Sequence, residues 1–158
     1  MPVWRVLAKG TPQVSPGSID NASQAARIEN LDLRYDAGVK TLTFYADVTS
    51  NKHVGRYHVI VTFKGVEQHE GLTEKEIEQG YQPKPSLAEH EVLVNCRCPS
   101  YRFRFDKANR SNRVGTGARF ANYHRKTDRK PNNPMNLPGY CHHLLEFIEY
   151  LQRQGFIY

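Results

Sequence analysis

An α+β fold is predicted for this chain, an antiparallel β-sheet followed by a C-terminal helix. Three observations predict it. Apolar residues alternate with polar ones through Leu42, Phe44, Ala46 and Val48, and again through Tyr57, Val59, Val61 and Phe63, the period of a strand with one buried face. Leu144, Ile148 and Leu151 recur at helical spacing. The three cysteines fall in two short groups, one at the end of a predicted strand and one at the start of that helix, so a shared centre would join sheet to helix.

Each element carries its own local signal. Leu31, Leu33 and Tyr35 lead into Asp36-Ala37-Gly38, a short turn whose Gly38 can take positive φ, so residues 28–35 and 40–48 should form a hairpin. Thr73 and Glu76 have the spacing of a capping box and Gly80 can end the helix, which predicts a short helix over 73–79. Pro83 and Pro85 then keep the chain extended, and Val92 and Val94 bring a further strand into Cys96. Residues 106–137 are rich in Asn, Arg, Gly and Pro without a sustained period, and read as an irregular basic excursion. Gly115-Thr116-Gly117 within it reads as a flexible turn, because no phosphate-binding lysine pattern accompanies it. After Pro138-Gly139, residues 141–154 should be an amphipathic helix stopped by Gly155. The chain thus divides into a β-rich region over 1–95 and a ligand-bearing region over 96–158, expected to pack as one unit.

With 158 residues, 39% of them hydrophobic, the chain is long enough to bury a core. Its longest apolar runs fall far short of the roughly 20 residues of a membrane span, so no membrane partner is expected. The opening MPVWRVLAKG has neither a secretory h-region nor a transit-peptide pattern, which predicts a reducing cytoplasm. The net charge of +6 is unevenly placed. Residues 97–130 hold 11 basic and 2 acidic side chains, a local +9, whereas residues 1–96 sum to −2 and residues 131–158 to −1.

Cys96 and Cys98 stand two apart, a spacing that puts both on one face of a strand. Cys141 and His143 open the last helix, whose partial positive terminus favours a thiolate. Three sulfurs and an imidazole suit tetrahedral Zn2+ with no position left open, a structural rather than catalytic site. Iron is the competing metal, and His142 competes with His143 for the fourth place. His90 and His124 are more distant candidates, and the alternative to a metal is three ordinary buried cysteines with a surface histidine. No Ser/His/Asp order, paired carboxylates or open metal position indicates a reaction, so neither an enzyme nor a small-molecule substrate is expected.

The order C-x-C then C-x-H, with Cys98-Pro99-Ser100-Tyr101 as a C-P-x-aromatic continuation, resembles the SWIM zinc finger. That resemblance implies Cys96, Cys98, Cys141 and His143 as ligands and DNA or protein as partners; the 42 residues between Cys98 and Cys141 exceed the family's usual spacing. From Val94 to Leu151, VNCRCPSYRFRFDKANR followed by RKPNNPMNLPGYCHHLLEF is similar to small zinc-site proteins of tailed bacteriophages, some of them virion components. This second resemblance implies a tail, baseplate or neck component that touches other virion subunits, made in the host cytoplasm and then carried in the particle.

The basic segment admits two readings. Tyr101, Phe103 and Phe105 alternate with Arg102 and Arg104, a pattern that could stack bases and neutralise phosphates. Alternatively the rings belong to the core around the metal and the arginines are solvated or bridge to neighbouring subunits; as a helix, Tyr101, Phe105 and Ala108 would share a face. Arg125, Lys126, Arg129 and Lys130 suit either phosphates or an acidic protein surface.

Overall fold

The alternating segments form long antiparallel strands, β1 (Ala26–Asp36), β2 (Thr41–Ser50) and β3 (His53–Lys64), and a shorter β4 (Val92–Cys96) completes a sheet in the order β1-β2-β3-β4. The computed structural model describes residues 26–50, 53–98, 101–102, 105–117 and 141–158. Three helices join the strands: α1 (Glu74–Glu78), α2 (Asp106–Ser111) and α3 (His142–Arg153). Among the described residues no helix is long and apolar enough to cross a membrane.

The period of two does what it predicts. Leu42, Phe44, Ala46 and Val48 of β2 stand opposite Phe63, Val61, Val59 and Tyr57 of β3, and all of these except the half-buried Tyr57 are fully buried. Val92, Val94 and Cys96 extend that face onto β4. Phe44 and Phe63 meet edge to face with centroids 5.8 Å apart, an arrangement aromatic rings favour. The opposite face is polar: Arg34 lies over the Tyr45 ring, Tyr45 stacks on His58, and Thr43 and Thr62 share a hydrogen bond.

The hairpin turn differs from expectation in its mechanism. Gly38 does not adopt positive φ; Lys40 does, at 54°. The Asp36 carboxylate accepts hydrogen bonds from the backbone N–H groups of Gly38 and Val39, so an aspartate turn sets the corner where a glycine was expected to. Further along β1 the register slips between Glu29 and Asp32, and Asn30 at φ 56° reaches the Asp47 carboxylate, a bulge held by its own side chain.

The capping box on α1 is present in both directions between Thr73 and Glu76, and Gly80 at φ 77° ends the helix. His90 closes the segment after β3: one ring nitrogen meets the Lys64 carbonyl and the other the Glu70 carboxylate, so this buried histidine is satisfied locally and takes no part in a metal site. The tail pairs with the proline stretch through Tyr158 N–H to Pro85 O and Leu87 N–H to Tyr158 O, burying Ile157.

Residues 106–137 are not irregular throughout. Asp106–Ser111 is helical, and hydrogen bonds from Arg102 to Cys98, Phe105 to Tyr101, Asn109 to Phe105 and Asn112 to Ala108 keep the four-residue spacing of an α-helix. Tyr101, Phe105 and Ala108 are buried, as the helical reading of this stretch requires and the alternating one does not. The periodicity escapes a search over the excursion because it begins upstream, at Tyr101, and is short. Gly115-Thr116-Gly117 is likewise not a loose turn: Gly115 bridges in parallel to Val94, and Thr116 N–H donates to the Val94 carbonyl, so this segment covers the outer edge of β4.

Helix α3 lies across the apolar face of the sheet. Leu144, Phe147, Ile148 and Leu151 are fully buried there, and Gly155 at φ 76° ends it with paired bonds from Gly155 to Gln152 and Phe156 to Leu151. One core therefore draws on both halves of the sequence, from Leu42 to Leu151. Truncating Phe63 at its centre to alanine should lower unfolding stability by about 3–5 kcal/mol. In urea titrations Val39→Ala, at a residue 66% exposed, should stay within about 0.5 kcal/mol of the parent.

Candidate metal centre

Strand β4 ends at Cys96, whose backbone is held opposite Val59 of β3. Cys98 follows just outside the strand, where its carbonyl accepts the Arg102 N–H. On the other side, Cys141 is the N-cap of α3 and His143 lies in its first turn. Sheet and helix thereby bring four donors together: the three sulfurs and one ring nitrogen lie within 4.8 Å of one another, and all four residues are buried. None of the cysteines is in a disulfide.

Tyr101 fixes the approach of Cys98. Its N–H donates to the Cys98 sulfur at 3.3 Å, its hydroxyl donates to the Val94 carbonyl at 3.0 Å, and the Asn109 amide donates to that same hydroxyl. A buried phenol with both its donor and acceptor roles filled is a rigid peg between β4, the Cys98 turn and α2. Burial pushes the Tyr101 hydroxyl well above its ordinary pKa, so it serves as a neutral hydrogen-bonding group. The edge of Tyr57 meets the His143 ring at 5.1 Å, and His142 lies against it at 3.9 Å.

Charge within the cluster is unequal. Burial drives the Cys96 and Cys141 thiols upward, whereas the Cys98 thiol is held far below the ordinary range, chiefly by hydrogen bonds from Cys141 and Cys96. The three sulfurs are thus inequivalent, with Cys98 the one most disposed to carry negative charge. Burial raises the Cys141 thiol although the residue caps a helix N-terminus. Neither ring nitrogen of His143 has a hydrogen-bond partner, although the residue is only 2% exposed. Orphaned nitrogen in a dry site is costly, and an ion among three sulfurs would satisfy it.

Four donors of this kind could hold a metal ion, and the set suits a tetrahedral borderline-soft cation. Of the sequence-predicted ligands, Cys96, Cys98, Cys141 and His143 converge, while His142 is outside the cluster. Arg102 is half-buried beside the site, and Arg104, Arg125, Lys126, Arg129, Lys130 and His124 lie outside the described residues. Two features escaped sequence reasoning. The Tyr101–Asn109 pair has i, i+8 spacing that no motif flags, and the buried Glu146 looks like a solvated helix residue until α3 is placed on the sheet. Burial, and then the charge of Glu149, pushes the Glu146 carboxyl up to about 8.

No protein-family model, curated protein or solved structure matches the chain.

Thiol ligands must give up protons to an ion, so metal binding should release protons and its affinity should fall as pH falls, measurable by calorimetry in buffers of different ionisation enthalpy. His143→Ala should abolish stoichiometric binding, and His142→Ala should leave it in place, as read by metal content after dialysis.

Proposed function

We propose that this is a zinc-stabilised structural protein, without catalytic activity, in which the ion ties strand β4 to helix α3. The observation that carries this reading is the convergence of Cys96, Cys98, Cys141 and His143 within 4.8 Å in a buried place. Zinc is favoured over iron by the mixed sulfur and imidazole donors, which suit its tetrahedral preference. The long connection between Cys98 and Cys141 is rich in charge and poor in apolar residues, so a cross-link at its two ends supplies order that its own composition does not.

The setting we propose is a tailed-phage virion, in a tail, baseplate or neck component that contacts other subunits. Its support is the likeness of residues 94–151 to small zinc-site proteins of such phages. Under this reading the basic segment meets protein neighbours, and assembly places the chain in the particle. A second reading, an accessory module that binds nucleic acid, draws on the local +9 of residues 97–130 and on the SWIM-like ligand order. The Tyr101 and Phe105 rings are buried, which removes both from any base-stacking surface, and Phe103 lies outside the described residues.

Chelation separates the structural role from a merely resident ion. Removing the metal, or replacing Cys98 by Ser, should accelerate amide exchange over residues 96–117 and the first turns of α3, while the β1–β2–β3 hairpins keep their protection. For the setting, mass spectrometry of purified source particles should find the chain at stoichiometric level. A salt series with duplex and single-stranded DNA should show no preference over an acidic polymer; tight DNA binding with a steep salt slope would favour the nucleic-acid module instead.

A further inference from the structure

Helix α3 buries more polar chemistry than four ligands require. Glu146 is only 4% exposed, and neither oxygen of its carboxyl group has a hydrogen-bond partner. It stands one helical turn after His143, whose two ring nitrogens are likewise buried without a hydrogen-bond partner. Side chains on a helix lean toward its N-terminus, so the carboxyl of residue 146 is carried back over the turn that bears residue 143. At this spacing the two Cβ atoms are about 5–6 Å apart, within reach of a carboxylate and an imidazole.

Resting on the metal reading above, we propose that Glu146 is the positioning residue of the centre, accepting the N–H of His143 when the other ring nitrogen holds the ion. A neutral imidazole that gives one nitrogen to a metal carries its proton on the other, and that N–H must find an acceptor. Tyr57 and His142 meet His143 only through ring contacts, and neither is a carboxylate. Glu146 supplies the missing acceptor, and the same bond fills its own oxygen. The two orphans are complementary, donor to acceptor, and one contact resolves both. Such an outer partner fixes the tautomer and ring orientation and raises the basicity of the ligating nitrogen. Glu149, the next carboxylate on α3, is exposed and leaves this place to Glu146.

The test uses the full chain as wild type, Glu146→Gln and Glu146→Leu. Zinc affinity is measured by competition with a chromogenic chelator, and the ring of His143 is followed by long-range 1H–15N NMR. Glu146→Gln keeps an acceptor oxygen and should stay within about threefold of wild type, whereas Glu146→Leu should lose on the order of 10–100-fold in affinity. In the zinc-loaded wild type the non-ligating nitrogen of His143 should carry a slowly exchanging, hydrogen-bonded proton. Full affinity in Glu146→Leu, or equal loss in Glu146→Gln, overturns the assignment. So does a rapidly exchanging His143 N–H in the wild type, a readout that holds even if the leucine variant does not fold. A wild type that takes up no stoichiometric zinc overturns the metal reading itself, and that result is distinct from wild-type zinc uptake with an indifferent Glu146.

Discussion

Three sulfurs and an imidazole buried within 4.8 Å of one another form an arrangement that is unfavourable by itself. Burial raises the Cys96 and Cys141 thiols while their hydrogen bonds lower Cys98, and both nitrogens of His143 go without a hydrogen-bond partner. A dication at the middle removes each of these penalties at once, by neutralising thiolates and filling a nitrogen lone pair. The rest of the structure serves to hold these donors in register against their mutual repulsion and desolvation.

That support comes from two directions. On the strand side, β4 is paired to β3 along its length and covered on its outer edge by residues 114–116, so Cys96 sits on a fixed backbone. Tyr101 pins the turn after it through three hydrogen bonds, one of them to the Cys98 sulfur. On the helix side, Leu144, Phe147, Ile148 and Leu151 seat α3 on the apolar face of β2 and β3, and that seating delivers Cys141 and His143 to the same point. The hydrophobic face supplies the stability, and the polar cluster sets where the helix begins relative to the sheet. In the proposed role, Glu146 extends this logic by one turn, as a buried carboxyl group one helical turn from His143.

Much of this was legible in the residues. Alternation in β2 and β3, the capping box on α1 and the apolar spacing of α3 are local signals, and each formed the element it indicated. The convergence of the four Cys/His residues was legible because cysteine is scarce in this chain and both pairs abut regular elements. Other features were hidden for physical reasons. The corner at Asp36 is made by a side chain accepting two backbone N–H groups, so the neighbouring Gly38 was a misleading cue. The helical run through Tyr101, Phe105 and Ala108 is short and arginine-rich, and its register became visible only from what it buries. Glu146 carries no sequence mark of burial, because a carboxylate on an amphipathic helix is ordinarily solvated. Charge on Cys141 depended on the competition between a helix terminus and desolvation, which only the packed structure decides.

X-ray absorption spectroscopy of the zinc-loaded protein tests the central claim most directly, because it counts the donors around the ion. The account predicts a four-coordinate shell of three sulfurs at about 2.3 Å and one nitrogen at about 2.0–2.1 Å, with no oxygen. A shell with bound water, with fewer than three sulfurs, or with no stoichiometric metal at all would contradict it.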